Sequence, residues 1–456
     1  MSAAVADPLV AKYDVAGPRY TSYPTVPYWH STPSQGQWLA RVGGSISSAN
    51  AQAAALYVHV PFCRALCTFC GCNTRITRSH SVVLPYLQSV LAELDLYLQG
   101  LHSERIEIGE LHLGGGTPTF LDPAELESLL SGLAARARYR AGAVCSVEVD
   151  PRVTTSAQLE VLARYGFRRI SLGVQDFDPR VQDIVNRVQS EAQVREVTQG
   201  ARAQGFDSVN FDLIYGLPLQ TPASIEATMA AVRRLRPDRI ALYAYAHVPW
   251  IRPGQRRYTD ADLPQGEHKR LLYELGRESL EREGYREVGL DHFALETDSL
   301  WRAQQSGALH RNFMGYTDAC ALPLIGLGVS AIGDVGDAFV QNEKDLQRYQ
   351  ERVAGGELPI QRGHLLDAED QILRRHILRL MTRLETRWDA PEDFTGYLDT
   401  ARQRLAEPLA DGLVQLDAAS CRVTARGRAF LRNICMAFDA RLQRRMPDKA
   451  LFSRTT

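Results

Sequence analysis

The sequence has no apolar run long enough to span a bilayer, and its start lacks the basic residues and apolar core of a secretion signal. It also lacks an excess of charge, since 52 Lys and Arg residues against 53 Asp and Glu residues leave a formal net charge of −1. We therefore expect a soluble, cytoplasmic protein. Nothing in the overall charge attracts nucleic acid or a membrane, so neither is an expected partner.

Cysteine is scarce and unevenly distributed, with 8 residues in a chain of 456. Four of them, Cys63, Cys67, Cys70 and Cys72, fall within ten positions, and the others are scattered. A disulfide framework is not expected in a reducing compartment, so this group indicates metal chemistry.

The pattern of the chain changes twice, which predicts three parts. Residues 1–50 show little helical or strand periodicity and are expected to form an arm laid over the rest. Residues 51–345 alternate short apolar runs with amphipathic stretches, which predicts a β/α catalytic domain. Residues 365–456 predict a small, mainly helical domain with a wing-like hairpin at Val414–Val423.

Six strands and five intervening helices are predicted in the middle part, and an α/β fold with a parallel sheet, open or barrel-like, follows from them. The predicted strands are Leu56–Val60, Ile106–Leu113, Cys145–Val149, Arg169–Val174, Ser208–Ile214 and Arg239–Ala246. The predicted helices are Ser81–Leu98, Pro123–Ala135, Ser156–Tyr165, Ala192–Gln204 and Pro222–Leu235. In the last part, helices are predicted at Asp370–Leu384, Asp393–Ala406 and Arg426–Phe438.

Polar residues follow the predicted strands, where functional groups collect in parallel sheets. The cysteine loop follows the first strand, and Gly114-Gly-Gly-Thr-Pro118 follows the second. Candidates for gripping hydroxyl, ammonium or carboxylate groups of a ligand are Glu148, Gln175, Arg187 and Asp212. His59 precedes the loop, where a supporting role and a proton-transfer role are equally plausible, while Tyr57 and Phe69 are either core residues or contacts to a flat ligand.

Three thiolates from one compact loop suit a four-iron cluster with one iron left open. An open iron can chelate the amino and carboxylate groups of S-adenosylmethionine and deliver one electron to its sulfonium. Zinc is the alternative, because Cys72 supplies a fourth thiol. Against zinc, structural sites usually take two cysteine pairs from separate knuckles, whereas these thiols lie within ten residues.

The chain resembles the radical S-adenosylmethionine superfamily and, more narrowly, the oxygen-independent coproporphyrinogen III oxidases. The resemblance covers nearly the whole chain. The motifs that carry it are Gly17-Pro-Arg-Tyr-Thr-Ser-Tyr-Pro-Thr25, Tyr57-Val-His-Val-Pro-Phe-Cys63, Cys70-Gly-Cys72, Glu148-Val-Asp-Pro-Arg152, Gly173-Val-Gln-Asp-Phe177, Val185-Asn-Arg187, Asp212-Leu-Ile-Tyr-Gly-Leu-Pro218, Tyr245-Ala-His247, His310-Arg-Asn-Phe313 and Gly328-Val-Ser-Ala-Ile332.

The resemblance implies a partial (β/α)6-type barrel and the oxidative decarboxylation of two propionates of coproporphyrinogen III by a 5′-deoxyadenosyl radical, giving protoporphyrinogen IX for haem biosynthesis. It implies a [4Fe–4S] cluster, two S-adenosylmethionine molecules and a small electron-donor protein such as a flavodoxin-like reductant. Nothing demands more than a monomer. A related radical enzyme acting on another tetrapyrrole by ring opening or methyl transfer, and a haem-binding chaperone, are the alternatives.

The same resemblance implies specific site residues. The metal ligands would be Cys63, Cys67 and Cys70. The cluster-bound cofactor would lie among Tyr57, Phe69, Gly115, Glu148 and Ile332, and the second among Gly116, Thr117, Gln175, Arg187, Asp212 and Ala246. Candidates for catalysis or substrate binding are Tyr57, His59, Cys72, Arg19, His310 and Arg311, with Tyr20 and Tyr23 as a cover. Residues 318–325, which include Cys320 and Pro323, differ from the more polar sequence that is typical of the family at this point.

Overall fold

The computed structural model of the protein describes residues 8–47, 53–318, 321–394, 396–445 and 451–455. No helix among these residues combines the length and the apolar character needed to cross a membrane.

The strands are β1 (Ala54–Val60), β2 (Phe62–Cys63), β3 (Arg75–Ile76), β4 (Ile106–Gly115), β5 (Ala137–Val149), β6 (Phe167–Gln175), β7 (Ser208–Tyr215), β8 (Arg239–Ala244), β9 (Tyr285–Val288), β10 (His292–Leu295), β11 (His310–Asn312), β12 (Gly315–Thr317), β13 (Leu324–Leu327), β14 (Ile332–Asp334), β15 (Ala338–Asn342), β16 (Ile360–Leu365), β17 (Glu385–Arg387), β18 (Val414–Leu416) and β19 (Ser420–Val423).

The α-helices are α1 (Pro8–Tyr13), α2 (Gln35–Ser47), α3 (Val83–Gly100), α4 (Pro123–Arg136), α5 (Ser156–Arg164), α6 (Pro179–Ile184), α7 (Glu191–Ala203), α8 (Pro222–Leu235), α9 (Gly266–Arg282), α10 (Ser299–Ser306), α11 (Leu346–Ala354), α12 (Ala368–Arg383), α13 (Asp399–Arg404), α14 (Ala406–Ala410), α15 (Leu431–Met436) and α16 (Ala440–Arg444). Short 3-10 helices lie at Val26–Tyr28, His80–Val82, Pro118–Phe120, Pro253–Arg257, Asp260–Asp262, Pro391–Phe394 and Arg426–Phe430.

One large sheet organises the middle of the chain. Its central strands β1, β4, β5, β6, β7 and β8 lie side by side in chain order and pair in parallel. Helices connect successive strands, as parallel pairing requires. Neighbouring strands in unbroken chain order, with helical crossovers, are the arrangement of a partial β/α barrel, so the predicted fold class is confirmed.

Four of the crossover helices begin with the same local device. Asp122, Thr155, Ser190 and Thr221 cap α4, α5, α7 and α8, and in each case the third helical residue bonds back to the cap. Such a capping box satisfies two backbone N–H groups that the first turn leaves without partners. These helix starts are therefore encoded locally, which explains why the predicted starts lie within one residue of the observed ones.

The register of the central strands aligns the predicted site residues. Val60 is paired with Gly115, and Leu113 with Val147, so the cysteine loop, the glycine triplet and Glu148 emerge together. Further along the sheet, Gly173 is paired with Asp212. Parallel strands that start in register also end together, which places these groups at one edge of the barrel.

The sheet continues beyond the six predicted strands. β13 adds in parallel to β1 and is followed by β14, β15 and β16, while β10 and β9 add antiparallel beyond β8. β5 starts at Ala137, eight residues before the predicted start at Cys145. The prediction missed its first half because that half is largely exposed and carries arginines, a pattern that does not indicate a strand.

A second hydrophobic core lies in the last part of the chain and includes residues of the N-terminal arm. Leu9, Tyr20 and Tyr23 pack with Ile377 and Leu413, among others. The hairpin predicted at 414–423 is present as β18 and β19, with β17 as a third strand. The domain boundaries given above stay predictions.

Three helical predictions differ from the structure. The arm contains α2, whose Trp38 and Val42 are fully buried one turn apart, although Gly43 and Gly44 weaken its sequence pattern. The predicted helix 393–406 is broken into a 3-10 turn, α13 and α14, because Gly396 takes a φ of +92° before α13 begins. The predicted helix 426–438 likewise starts as a 3-10 turn and continues as α15.

A buried polar network ties α3 to the strands beside the site. The Glu93 carboxylate is fully buried and accepts hydrogen bonds from Gly328 N at 2.8 Å, Asn342 Nδ2 at 2.6 Å and Tyr349 Oη at 2.8 Å. Burial raises the pKa of Glu93 to about 8. The folded protein therefore keeps this proton at pH values where the unfolded chain has released it. As a result, Glu93 lowers the free energy of unfolding as the pH rises from about 4.5 to about 8.

We expect the substitution Glu93→Gln to remove this pH dependence, because the amide imitates the protonated acid. The measurement is the decrease in Tm between pH 5.5 and pH 8 in thermal unfolding. This decrease should be smaller for the variant than for the unmodified protein. Glu107→Gln, at an exposed position of β4, is the matched control and should leave the loss unchanged. Equal losses in all three proteins would contradict the assignment.

Candidate active site

A cavity of about 420 Å³ opens at the carboxyl ends of β1 and β4 to β7. The residues that line it include most of those predicted from the sequence: Cys63, Cys67, Phe69, Cys70, Cys72, Gly115, Gly116, Thr117, Glu148, Gln175, Arg187 and Asp212. A smaller adjoining cavity of about 140 Å³ shares Glu148, Ser171, Asp212 and Tyr243 with it. The fold therefore brings together residues that are separated by up to 150 positions in the chain.

Each of the three predicted ligand sulfurs has a hydrogen-bond partner. Thr117 Oγ1 lies 3.4 Å from Cys63 Sγ, and the backbone N–H of Cys72 donates to Cys70 Sγ at 3.4 Å. Arg152 and Arg187 donate to Cys67 Sγ at 3.7 and 3.8 Å. Donors directed at sulfur stabilise thiolates that bind an iron–sulfur cluster and tune its reduction potential. The donor set therefore fits such a cluster.

The arrangement of the thiols does not fit a closed zinc site. A tetrahedral zinc with Zn–S bonds of about 2.3 Å holds its sulfurs about 3.8 Å apart. Within the part of the chain that the structure describes, no three cysteine sulfurs lie within 4.8 Å of one another. A four-iron cluster binds each cysteine sulfur to a different iron, so its ligand sulfurs need not surround one ion as they do at zinc. Cys72 contacts Cys70 Sγ through its backbone N–H.

Two arginines and one aspartate form an ion-pair group behind Cys67. Asp150 Oδ2 lies 2.7 Å from Arg152 Nη2 and 2.8 Å from Arg187 Nη1. The Nε atom of Arg187 is buried without a hydrogen-bond partner among the described residues. Because a buried N–H without a partner is costly, this atom is suited to a ligand oxygen in the cavity.

Glu148 is the centre of a second group on the opposite side. It accepts from the backbone N–H of Gly115 at 3.1 Å and lies 3.3 Å from His112 Nε2. Removal from water raises its pKa, but the hydrogen bond and charge of His112 and the Gly115 N–H outweigh this and hold the pKa of Glu148 below its usual value. Glu148 therefore keeps a negative charge in the cavity.

Asp212 adds a second carboxylate to the same cavity. It accepts from Ser171 Oγ at 2.8 Å and from Asn210 Nδ2 at 2.9 Å. Burial, with the nearby charge of Glu148, raises the pKa of Asp212 to about 6. Two carboxylates in one enclosed space are suited to a ligand that carries positive charge.

Tyr57 and His59 lie behind the glycine triplet 114–116 at the end of β4, and they do not line the cavity. His59 Nε2 donates to the carbonyl of Asn73 at 2.9 Å, which leaves Nδ1 to accept from the Tyr57 hydroxyl at 3.0 Å. A Cβ atom on Gly115, whose φ is +114°, would approach the His59 ring to 2.8 Å. His59 therefore acts as a support for the glycine turn and for the end of the cysteine loop.

The remaining predicted cofactor residues lie beside the cavity without lining it. The carbonyl of Ala246 accepts from Gln255 Nε2 at 3.1 Å, and the same amide lies 3.2 Å from the carbonyl of Phe69. Ile332 is on β14, and its backbone packs against Gly326, which is paired with Tyr57. Their predicted roles stay untested.

The predicted substrate residues Arg19, His310 and Arg311 do not line the cysteine cavity. Arg19 donates to the carbonyl of Ala244 and lies over the ring of Tyr243 at 5.9 Å. Arg311 is buried, with its guanidinium 4.4 Å from the centre of the Tyr316 ring and Nη2 3.4 Å from the Arg19 carbonyl. His310 is on β11, where burial lowers its pKa.

Tyr20 and Tyr23, the predicted cover of a substrate, lie in the second hydrophobic core, and a role at the substrate stays a prediction. Each side chain is only 2% exposed and packs within the second core, where the Tyr20 hydroxyl lies 3.0 Å from Asp439 Oδ2. Aromatic rings in the arm gain more by completing that apolar core than by facing solvent. In the departing segment 318–325, Asp318 pairs with Arg169 at 2.6 Å, and Cys320 lies outside the described residues.

Sequence reasoning missed His112 and gave no site role to Asp150 and Arg152. The alternation of side chains along β4 could have identified His112 as a site residue, because His112 lies two positions before Gly114 and so on the same face of the strand. Only the pairing of His112 with Ser146 shows that this face looks toward Glu148.

Comparison with known proteins first defines the class. The model of the radical SAM superfamily matches residues 57–232, the segment that contains the cysteine loop, the glycine triplet and Asp212. A β/α barrel with a three-cysteine loop after its first strand is the arrangement of this class, whose members use a [4Fe–4S] cluster and S-adenosylmethionine.

Curated relatives then define the family. The oxygen-independent coproporphyrinogen III oxidases of Pseudomonas aeruginosa and Escherichia coli are each 40% identical to this chain, over 94% and 96% of it and 95% of each relative. A solved structure of coproporphyrinogen III oxidase from Escherichia coli, described as a radical SAM enzyme, gives a TM-score of 0.88 at 38% identity and covers 96% of this chain and 99% of that one. The chain belongs to the family of oxygen-independent coproporphyrinogen III oxidases.

We expect the affinity for S-adenosylmethionine to fall as the pH is lowered from 7.5 to 5.5, because Asp212, with a pKa of about 6, loses its charge. Asp212→Asn should weaken binding about tenfold at pH 7.5, equivalent to about 1.4 kcal/mol, and flatten the pH dependence. Equilibrium binding to the anaerobic protein measures both. Asp183→Asn, at an exposed position on α6, is the control; an unchanged profile in the Asp212 variant would exclude Asp212 from the binding site.

Proposed function

We propose that this chain converts two propionate side chains of coproporphyrinogen III to vinyl groups by oxidative decarboxylation and yields protoporphyrinogen IX. The observation that carries the proposal is the similarity to curated enzymes of that name along nearly the full length of both chains. The cavity supports it, since thiols, carboxylates and an unpaired arginine N–H face one space.

In this proposal Cys63, Cys67 and Cys70 hold the cluster. When bound, the cluster supplies the electron that cleaves S-adenosylmethionine to methionine and a 5′-deoxyadenosyl radical. Once these sulfurs bind iron as thiolates, they would accept hydrogen bonds from Arg152, Arg187, Thr117 and the Cys72 N–H through the contacts described above. Burial is the main effect that raises the pKa of the Cys63 thiol to about 11, so iron binding must displace its proton.

Glu148 and Asp212 would bind the positively charged cofactor, and the N–H at Nε of Arg187 would donate to one of its oxygens. The glycine strand at Gly115 and Gly116 brings its backbone close to the cysteine loop, where a side chain would not fit. By family resemblance, Phe69 lies with the cluster-bound molecule, and Gln175 and Ala246 lie with a second one. The two adjoining cavities share Glu148 and Asp212.

The reaction needs an electron from outside the protein, and we propose that a small electron-donor protein supplies it. Removal of a hydrogen atom from the carbon beta to each propionate carboxylate would leave a substrate radical. Loss of carbon dioxide and transfer of one electron to an acceptor outside the protein would then give each vinyl group. Phe69 and Phe120 line the cavity and give part of its wall an apolar surface.

The assay for this proposal uses the anaerobically reconstituted protein with S-adenosylmethionine, a reductant and coproporphyrinogen III. We expect release of two carbon dioxide molecules per substrate and formation of protoporphyrinogen IX. Cofactor cleavage without consumption of this substrate would point to a related radical enzyme acting on another tetrapyrrole. Tight haem binding without cofactor cleavage would point to a haem-binding chaperone.

Substitution of the cysteines tests the ligand assignment separately. We expect Cys67→Ala to lose most of the iron and sulfide of the reconstituted protein, because two thiolates cannot retain the cluster. Cys72→Ala should keep the cluster, since Cys72 contributes its backbone N–H, and Cys145→Ala, in the core of β5, is the matched control. Full iron and sulfide content in the Cys67 variant would overturn the assignment.

A further inference from the structure

The two segments that cover the outer side of the cysteine loop carry only positive charge. Residues 61–81 contain Arg64, Arg75 and Arg78 and no acidic residue. Residues 246–257 contain Arg252, Arg256 and Arg257, again with no acidic residue. This is unexpected in a chain whose net charge is −1. We call the exposed part of these two segments the cluster-loop surface.

The two segments are joined directly, so their charges belong to one surface. Arg252 donates to the carbonyl of Gly71, and Gln255 Nε2 donates to the carbonyl of Phe69 at 3.2 Å. A Cβ atom on Gly254 would lie 3.3 Å from Leu66 Cδ2. The carbonyl of Lys344 accepts from Asn73 Nδ2 at 3.1 Å, which brings a further exposed cation to the same edge.

The six arginines form no ion pair with a carboxylate of the described residues. Elsewhere on the protein, surface arginines are commonly paired, as Arg136 is with Asp95 and Arg164 with Glu127. Unpaired cations close to one another repel, and a partner of opposite charge relieves that repulsion.

Large apolar side chains are exposed among these arginines. Trp250 and Ile251 are each 50% exposed, Leu66 is 42% exposed and Ile76 is 45% exposed. Tryptophan and arginine are enriched where proteins bind one another, and aromatic anchors surrounded by charge are typical of such surfaces. Leu66 directly precedes Cys67, so a protein bound here would lie against the loop that holds the cluster.

We propose that the cluster-loop surface docks a small acidic protein that carries one electron on a flavin or an iron–sulfur centre. The proposal rests on the proposed function, in which this loop holds the cluster. One electron passes from the reduced carrier to the cluster. The carrier is oxidised by one electron, the cluster is reduced by one electron, and no covalent bond forms or breaks. Electron transfer through protein slows steeply with distance, which favours docking directly over the loop.

The test is a triple charge reversal, Arg75→Glu with Arg78→Glu and Arg256→Glu, in the reconstituted enzyme. Cofactor cleavage is measured with an acidic flavodoxin, with an acidic ferredoxin and with dithionite. We expect the KM for at least one carrier to rise at least tenfold, with the dithionite-driven rate unchanged within twofold. Added salt should raise the KM of the unmodified enzyme for that carrier and affect the variant less. The carrier whose KM responds identifies the source of the electron.

Arg105→Glu with Arg138→Glu provides the matched control. Both arginines are exposed at the amino ends of β4 and β5, opposite the cysteine loop, and neither forms an ion pair with a described carboxylate. This control should leave the KM for both carriers unchanged. Trp250→Ala should raise the KM of the same carrier without any change of charge.

Three results would overturn the proposal. The first is an unchanged KM for both carriers in the triple variant, and the second is an equal rise of these KM values in the control variant. The third is a rise of the KM for coproporphyrinogen III alone, which would assign the arginines to capture of that anionic substrate. Failure of the proposed function looks different, because dithionite would then drive no decarboxylation in the unmodified enzyme. Binding of the oxidised carrier to the cluster-containing protein, measured by calorimetry, still decides the docking in that case.

Discussion

The close packing of the glycine turn after β4 on the end of β1 fixes the geometry of the site. A Cβ atom on Gly116 would lie 2.7 Å from the carbonyl oxygen of Pro61, and one on Gly115 would meet the His59 ring. Gly116 N also donates to the Val60 carbonyl at 2.8 Å. Because no side chain intervenes, the cysteine loop is held at a fixed height above the sheet, and Gly115 remains free to donate to Glu148.

The charges around this contact are divided by position. Arg152 and Arg187 lie at Cys67, on the side where a cluster with thiolate ligands adds negative charge. Glu148 and Asp212 lie further along the sheet and line the same cavity, where under the proposed function they would face the positive charge of a sulfonium cofactor. Asp150 pairs with both arginines and keeps them oriented toward the sulfur. The protein thus provides opposite charges for two groups that must lie close together.

Two departures from the sequence predictions, at α2 and at Tyr20 and Tyr23, share a physical cause, which is packing against distant parts of the chain. Helix α2 has a weak local pattern, and it is stabilised by Trp38, whose indole N–H donates to the Tyr97 hydroxyl at 2.9 Å. Tyr20 and Tyr23 belong to a motif that suggests substrate contact, yet they complete a core built from residues near 370–440. In each case the decisive neighbours lie far away in the sequence, where periodicity carries no information.

The sequence by itself determined the β/α alternation, the helix starts and the loop of three cysteines, because strand burial, capping and ligand spacing are local properties. It also indicated which strand ends carry polar groups. Only the tertiary structure decided that His112 and Gly115 hold Glu148, that two arginines reach Cys67, and that Cys72 contributes a backbone donor. These contacts depend on strand register and on side chains meeting across the barrel, and short stretches of sequence do not specify either.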